Sequence, residues 1–349
     1  FDVDGIRLDA ADVLDFVFMH ELRMLANEIK PEFWLMGEVI HGDYSRWVNS
    51  DMLHSVTNYQ LYKALYSGHN EHNYFEIAHT VRYLLDKGNL PYHLYNFVDN
   101  HDVERIYTRL LNKHEFVPVH ILMYTLPGIP SVYYGSEFGI EGRKEKHSDV
   151  VLRPAINLED YPNALDENGC TNIIARLGEI RQKNSVFSDG IYQELRLTNR
   201  QYAFSRTNEI TQAIVVVNND EVDSSLDIPA TGTYTELLSG EIQSVDGNLH
   251  VHLHACSGQI WMEDYDETVS RKREVKIPEI KQVVVKEETI KQVTVDYSKS
   301  YEEMSIEELQ ACVLEKLAKN GPVTEQMKRD VANNVYHDSL INWVKSFRN

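Results

Sequence analysis

The first half of the chain alternates between short apolar runs and stretches whose apolar residues recur at helical spacing. The apolar runs predict five strands, at residues 3–8, 33–39, 52–56, 93–98 and 130–134. The intervening stretches predict helices near residues 13–29, 60–65, 74–85, 118–125 and 170–183. Repeated strand–helix units of this kind predict an α/β fold with a parallel sheet, either a barrel or an open sheet.

From about residue 185 the hydrophobic pattern changes to period two. Alternating segments predict strands at residues 192–198, 201–207, 212–218, 225–228, 233–238 and 249–262, with Asn, Asp and Gly turns between them. This pattern predicts an antiparallel β-domain whose size suits a small sandwich.

The last 85 residues, 265–349, differ in sequence pattern from both preceding regions. Residues 280–285 are nearly repeated at 290–295, and these charged Val/Ile segments predict a linker or a hairpin. Ser305 and Glu308 form a capping-box pattern that opens a predicted helix, and a second helical stretch follows from residue 324 to about 347. We therefore predict an α/β domain at 1–184, the β-domain at 185–264, a linker or hairpin at 265–303 and a helical extension at 304–349.

The composition argues against several classes of partner and site. The net charge is −20, with 34 Lys and Arg against 54 Asp and Glu, which argues against nucleic acid or an anionic membrane as a partner. No apolar run approaches the roughly 20 residues that span a bilayer. Cys170, Cys256 and Cys312 lie far apart, so neither a disulfide framework nor a cysteine zinc site is indicated.

Charged residues stand at the ends of three predicted strands. Arg7 and Asp9 end the first strand, two positions apart and therefore on one face. Glu38 ends the second strand, and His101 and Asp102 follow the fourth. Each group alone has a structural alternative: an Arg7–Asp9 ion pair, Glu38 as a loop or capping carboxylate, or Asp102 capping the next helix.

Taken together, these acids favour a barrel. A (β/α)8 barrel gathers the carboxyl ends of its strands into one active site. An open doubly wound sheet would lead us to expect a glycine-rich phosphate loop, and the sequence has none.

Converging carboxylates suit glycoside hydrolysis. In this reaction one ionised acid attacks or stabilises the anomeric carbon, and one protonated acid delivers a proton to the leaving oxygen. Arg7 is placed to keep Asp9 ionised. Glu38 follows an apolar strand with no adjacent cation in the sequence, so we expect it to be the proton donor. Metal-dependent hydrolysis is the competing use of clustered acids, but His101 alone supports it poorly and we predict no metal ligand here.

The motifs 5–9, 37–39 and 97–102 resemble those of the α-amylase family, glycoside hydrolase family 13, in that family's order. Residues 127–135 with Glu137 resemble its eighth barrel strand. The resemblance covers about residues 1–264. It implies the C-terminal portion of a (β/α)8 barrel, about strands four to eight, followed by a β-sandwich domain; the helical C-terminal extension is outside the family plan.

The resemblance also implies roles. Asp9 would be the nucleophile, Glu38 the general acid and base, and Asp102 the stabiliser of the distorted sugar. Arg7 would hold Asp9, and His101 would bind the sugar that is cleaved; His41 and Trp47 are candidates for glucose contact on the leaving-group side. Residues 38–41 are similar to the neopullulanase and cyclomaltodextrinase branch, which usually has an aromatic residue at position 40.

The implied activity is retaining hydrolysis of α-glucosidic bonds in starch-like glucans, maltooligosaccharides or cyclodextrins. The alternatives are an α-glucan transglycosylase and a non-catalytic glucan-binding relative. The family's first barrel strands precede position 1, so we expect a fragment that is inactive alone, with exposed sheet edges and any calcium site upstream. No cofactor is evident in this chain; cytoplasmic location is favoured over secretion, and a homodimer is left open.

Overall fold

The computed structural model describes residues 2–88, 90–264, 298–320, 323, 328, 331 and 337–346. The chain divides into two compact units, Phe1–Gln282 and Val283–Asn349. The linker or hairpin predicted for 265–303 lies mostly outside the described residues. The predicted domain boundaries stay predictions.

The first unit begins with five short parallel strands, as the apolar runs predict. They are β1 (Gly5–Leu8), β2 (Trp34–Gly37), β3 (Ser55–Val56), β4 (Tyr95–Asn96) and β5 (Ile129–Pro130). β1, β2 and β3 pair in that order and β4 pairs with β5, while a parallel bridge between Thr57 and Tyr95 joins the two groups. The predicted partial barrel is confirmed, although the fifth strand ends at Pro130 rather than at residue 134.

Helices cover this sheet and follow its strands. They are α1 (Phe16–Ile29), α2 (Tyr59–Asn70), α3 (Tyr74–Leu85), α4 (Ile106–Arg109), α5 (Phe116–Thr125), α6 (Ala164–Glu167), α7 (Gly169–Lys183) and α8 (Val186–Asp189). Asp15 caps α1 because its carboxylate accepts hydrogen bonds from the Val17 and Phe18 amides, at 2.8 and 3.1 Å. The helical periodicity begins at residue 13, but the Asp15 cap sets the observed start of α1 at Phe16.

The first strand is less buried than its apolar sequence predicts. None of the four residues of β1 is fully buried, and Val3, which belongs to the predicted strand at residues 3–8, is 49% exposed. Among the described residues β1 pairs only with β2. The outer face of α1 also exposes Val17, Met24 and Ile29. An exposed sheet edge and apolar helix face were both expected, and both are present.

The β-domain contains β6 (Ile191–Leu197), β7 (Gln201–Thr207), β8 (Gln212–Asn218), β9 (Ser224–Glu236), β10 (Ile242–Leu253) and β11 (Ser257–Glu263). All pairs are antiparallel, in the order β10-β9-β11-β8-β7-β6. Two predictions were wrong in detail. Residues 225–228 and 233–238 belong to one long strand, because β10 stays in register across the Pro229–Gly232 turn signal, and residues 249–262 are two strands.

Both faces of this sheet are covered at β6, β7, β8 and β11, whereas the outer face of the β9–β10 hairpin is exposed. One face encloses an apolar cluster that includes Ile214, Tyr234, Leu249 and Trp261. The other face packs on α5, nine of whose ten residues are buried, in a cluster that also contains residues of α2, α3 and α7. A helix that is apolar on every side is stable only when it is enclosed, so α5 joins the barrel strands and the β-domain into one core.

The second unit contains α9 (Ile306–Asn320) and α10 (His337–Ser346), which confirms the predicted helical extension. The Ser305 amide donates to Glu308 Oε2 at 2.8 Å and the Glu308 amide donates to Ser305 Oγ at 3.2 Å, so the predicted capping box is present. Leu309, Val313, Leu340 and Val344 form its core. Within the described ranges, no helix combines the length and apolar character needed to cross a bilayer.

Candidate active site

Arg7 brings two of the predicted carboxylates together. Its Nη1 lies 3.2 Å from Asp9 Oδ1 and its Nη2 lies 2.9 Å from Glu38 Oε2. Parallel pairing of β1 with β2 places Leu8 beside Gly37, so the residues that follow both strands emerge at the same edge of the sheet. The Asp9 side chain is 83% exposed, whereas Glu38 is buried.

This contact corrects the expectation that Glu38 has no adjacent cation. The reason is that Arg7 reaches across from the neighbouring strand, a contact that sequence separation does not reveal. The Ala10 amide adds a 3.4 Å hydrogen bond to Glu38 Oε2, with Ala10 in the left-handed conformation at φ 44°. Arg7 therefore serves both acids rather than Asp9 alone.

Tyr59 connects Glu38 to the loop after β4. Its hydroxyl donates to Glu38 Oε1 at 3.3 Å and accepts from Asn100 Nδ2 at 3.0 Å. Burial, with the negative charges of Glu38 and Asp102 nearby, raises the pKa of Tyr59 to about 12. Tyr59 consequently remains a hydrogen-bond donor at any physiological pH.

The loop after β4 presents His101 and Asp102. Asn100 Oδ1 accepts hydrogen bonds from the Asp102 and Val103 amides at 2.8 and 3.1 Å, which closes a tight turn. Asp102 Oδ2 lies 3.1 Å from His101 Nε2, and Arg153 Nη2 lies 3.0 Å from Asp102 Oδ1. The alternative that Asp102 caps the next helix is wrong, because α4 begins only at Ile106.

A buried hydrogen-bond network anchors the loop after β4. The Asp99 carboxylate accepts from the Ile106 amide at 2.8 Å and from Ser136 Oγ at 2.7 Å, and burial raises the pKa of Asp99 to about 6. Arg105, also buried, donates to the Tyr134 and Leu152 carbonyls, both at 2.7 Å. The loop after β4 is thereby tied to the segment after β5.

The structure separates the two candidates for leaving-group contacts. His41 is exposed just beyond the Glu38 strand. Trp47 is only 4% exposed and packs against Phe16, with ring centroids 5.9 Å apart. The expectation that Trp47 contacts glucose is therefore not supported, because its indole belongs to the core beneath the sheet edge.

Several site residues were missed because they lie away from the strand ends that the sequence motifs mark. Tyr59 stands at the start of a helix, and Arg153 and Lys144 come from the long loop after β5; Lys144 Nζ donates to the Asp102 carbonyl at 2.7 Å. Beside Arg153 the loop forms a groove. Its lining residues are Tyr134, Gly135, Glu137, Phe138, Arg153, Pro154, Ala155, Ile156 and Leu158. No periodic signal marks them; only spatial proximity does.

Comparison with known protein families decides the classification. The family profile described as "Alpha amylase, catalytic domain" matches residues 2–185, more than half of the chain. The chain belongs to the α-amylase family. A second profile, "Alpha amylase, C-terminal all-beta domain", matches residues 196–288. The resemblance seen in the strand motifs is thus confirmed.

Relatives in this family cover most of the chain. Neopullulanase 2 of Thermoactinomyces vulgaris is 28% identical over 270 residues, which are 74% of this chain and 45% of that protein. A cyclomaltodextrinase of Thermoanaerobacter pseudethanolicus is 29% identical over 62% of this chain and 38% of its own length. The chain therefore spans less than half the length of these relatives.

Solved structures confirm the fold. An Anoxybacillus α-amylase superimposes with a TM-score of 0.65 at 22% identity, over 76% of this chain and 60% of that chain. Among the described residues, one group of three or more His, Cys, Asp or Glu side chains converges closely enough to hold a metal, and it contains two imidazoles. Calcium prefers oxygen ligands, so this group does not fit calcium, and the expected calcium site stays a prediction.

Tyr59 gives a first prediction. Replacing Tyr59 by Phe keeps its ring contact with Phe97, at 4.9 Å, but removes the donor to Glu38. For the glycoside hydrolysis that is proposed below, we expect kcat/KM to fall about tenfold, the worth of one hydrogen bond to a charged group. Steady-state kinetics of the complete protein that the gene encodes measure this fall in kcat/KM. Tyr62→Phe is the matched control, since Tyr62 stacks on the same Phe97 ring; equal losses in both variants would contradict the role of Tyr59.

Proposed function

We propose that the protein is a retaining glycoside hydrolase that cleaves α-glucosidic bonds of maltooligosaccharides, cyclodextrins or related starch-like glucans. One observation carries this proposal: a single guanidinium, Arg7, contacts both Asp9 and Glu38, and Tyr59 with Asn100 links Glu38 to the Asp102 turn. Three acids from three strand ends thus share one connected site. Names of the relatives, among them neopullulanase and cyclomaltodextrinase, support the substrate class.

In the proposed first step, Asp9 attacks the anomeric carbon while the glycosidic bond breaks. Glu38 gives its proton to the departing oxygen, so a neutral shortened glucan leaves and a β-glycosyl ester of Asp9 remains. Asp9 suits this role because its carboxylate is exposed and accessible to a sugar. Arg7, whose Nη1 lies 3.2 Å from Asp9 Oδ1, orients this carboxylate until it attacks.

In the second step Glu38, now a carboxylate, removes a proton from water, and the resulting oxygen nucleophile displaces Asp9. Two inversions give overall retention. Asp102, held between His101 and Arg153, is positioned to accept hydrogen bonds from sugar hydroxyls when the ring flattens. The separation of about 5–5.5 Å between the Asp9 and Glu38 carboxyls that retaining enzymes require stays a prediction.

The stereochemistry of the first product tests the proposal. Proton NMR during hydrolysis of maltotetraose by the gene-encoded protein should show the α-anomer first, with the β-anomer appearing later by mutarotation. Initial release of the β-anomer would refute the double displacement. No release of sugar at all, with glucan binding retained, would favour the non-catalytic alternative.

A transglycosylase remains the second candidate because it would use the same site. The observation in its favour is the apolar residue Ile40, two positions beyond Glu38 and 42% exposed, which reduces the polarity of the acceptor side. Chromatography of maltotriose digests separates the two activities, since only transfer produces chains longer than the substrate.

Cytoplasmic location stays a proposal, supported by a 27% identical relative named "Intracellular maltogenic amylase" from Bacillus subtilis.

A further inference from the structure

Three histidines form a stripe on the exposed face of β10 and its end. His250, His252 and His254 are separated by two positions, so their side chains lie on the same face of the strand. Across from them on β9 and just before it are Asp227, Ser225 and Asp223, with His252 opposite Ser225 in the strand register. This stripe lies in the β-domain and has no part in the proposed hydrolytic chemistry.

The end of the stripe is arranged differently from its start. His250 Nδ1 is paired with Asp227 Oδ1 at 2.6 Å. At the other end one carboxylate oxygen serves two imidazoles: Asp223 Oδ2 lies 3.1 Å from His254 Nδ1 and 3.6 Å from His252 Nε2. One ligand atom from each of these three residues lies within 4.8 Å of the others.

We propose that Asp223, His252 and His254 bind one divalent transition-metal ion, with Zn²⁺ as the representative case. Zinc bonds of about 2.0–2.1 Å to nitrogen and oxygen place neighbouring ligands of a tetrahedral site about 3.3 Å apart. The two separations from Asp223 Oδ2, 3.1 and 3.6 Å, bracket that value. Two imidazoles and one carboxylate favour zinc, nickel or copper over calcium or magnesium.

The surrounding contacts hold the ligands in position. The second oxygen of Asp223, Oδ1, accepts from the Ala255 amide at 3.0 Å, which leaves Oδ2 directed at the histidines. His252 Nδ1 is hydrogen-bonded to Ser225 Oγ at 3.1 Å, which leaves Nε2 directed at Asp223. Such contacts to the distal atoms of ligands fix their orientation in established metal sites.

The position of the site indicates what the metal would do. Asp223 precedes β9 and His254 follows β10, so the ion would join the two strand ends where this hairpin leaves the sheet. Because a ligand that binds only the folded state stabilises it, the metal would act as a stabilising cross-link of the β-domain. The three side chains are 51–78% exposed, so open coordination positions would be filled by water.

Calorimetric titration of the full chain with Zn²⁺ alone, after chelator treatment and without a polyhistidine tag, tests this inference. We expect one saturable equivalent and a higher melting temperature with Zn²⁺. His252→Gln and His254→Gln should each weaken binding by about tenfold or more. His250→Gln is the matched control, since it changes an exposed histidine of the same stripe that is paired with Asp227, and it should weaken binding less than about threefold.

Control measurements on the three histidine variants separate specific metal binding from its alternatives. All three substitutions lie on exposed side chains, so the variants are expected to fold, and their circular dichroism spectra verify it. The inference is overturned if no saturable binding occurs below about 1 mM Zn²⁺, since weaker binding would not distinguish this site from scattered surface carboxylates and imidazoles. It is equally overturned if the His250→Gln loss matches the other two, or if a variant lacking both His252 and His254 binds as the parent does.

Discussion

Glu38→Gln is expected to lower kcat/KM for maltooligosaccharides by about 10²–10⁴-fold, the usual contribution of a general acid. The amide is nearly isosteric with the carboxyl group and can still accept from Tyr59, but it cannot give a proton to the departing oxygen. The burial of Glu38 within reach of Arg7 and Tyr59 makes this substitution a change of chemistry more than of shape. Steady-state kinetics of the gene-encoded protein measure the loss.

The leaving group supplies an internal check on that result. A maltosyl fluoride needs little protonation to depart, so its turnover to the glycosyl-enzyme should fall much less in Glu38→Gln than that of maltotriose. Glu209→Gln, an exposed change in the β-domain, is the control and should leave both rates unchanged. If Glu38→Gln retained the parental turnover of maltotriose, the catalytic assignment would be wrong.

The positions of the three acids could be predicted because two regularities act together. Strand periodicity places Arg7 and Asp9 on one face, and parallel strands of a barrel present their carboxyl ends at one side. Neither regularity depends on distant contacts. The sequence could therefore indicate a common site for Asp9, Glu38 and Asp102, and the shared contacts of Arg7 and Tyr59 agree with it.

What the sequence could not indicate is which charges meet across strands and loops. Glu38 was expected to lack a cation, yet Arg7 lies 2.9 Å away because β1 and β2 pair in a register that no local pattern specifies. Arg153 reaches Asp102 from 51 positions further along, out of an irregular loop. Trp47 shows the converse, since an aromatic residue beyond a strand end looks the same in sequence whether it is exposed or buried.

The histidine stripe was overlooked for a different reason. The cysteines and the strand-end acids carry the usual sequence signals of a metal site, whereas the alternation over residues 249–262 predicts only a strand. Alternation at His250, His252 and His254 was present in the sequence, but the acidic partners Asp227 and Asp223 lie on β9 and just before it, 23 to 31 positions earlier. Pairing of two strands, rather than spacing along one, brings Asp223 to His252 and His254.

The last large effect concerns stability rather than catalysis, and it arises at Glu115. This carboxyl is 1% exposed, and within the described structure neither of its oxygens accepts a hydrogen bond. Burial, followed by the negative charge of Glu221, raises the pKa of Glu115 from 4.5 to about 8. Its nearest basic group, His72 Nδ1, is 3.7 Å away and is already hydrogen-bonded to the Asn219 carbonyl at 2.7 Å.

Because the folded pKa is raised, the folded protein holds a proton that the unfolded chain releases between pH 4.5 and about 8. The free energy of unfolding should therefore decline as pH rises through this window, by up to about 1.4 kcal/mol per pH unit and at most about 5 kcal/mol in total. Glu115→Gln carries no titrating group, so its stability should equal that of the parent near pH 4.5, exceed it increasingly up to about pH 8 and keep a constant advantage above that pH. Urea denaturation of both proteins at intervals from pH 4.5 to 9 gives the two profiles, with Glu209→Gln expected to follow the parent. Parallel profiles for the parent and Glu115→Gln would show that the buried carboxyl is ionised in the folded protein, and that His72 or solvent compensates its charge.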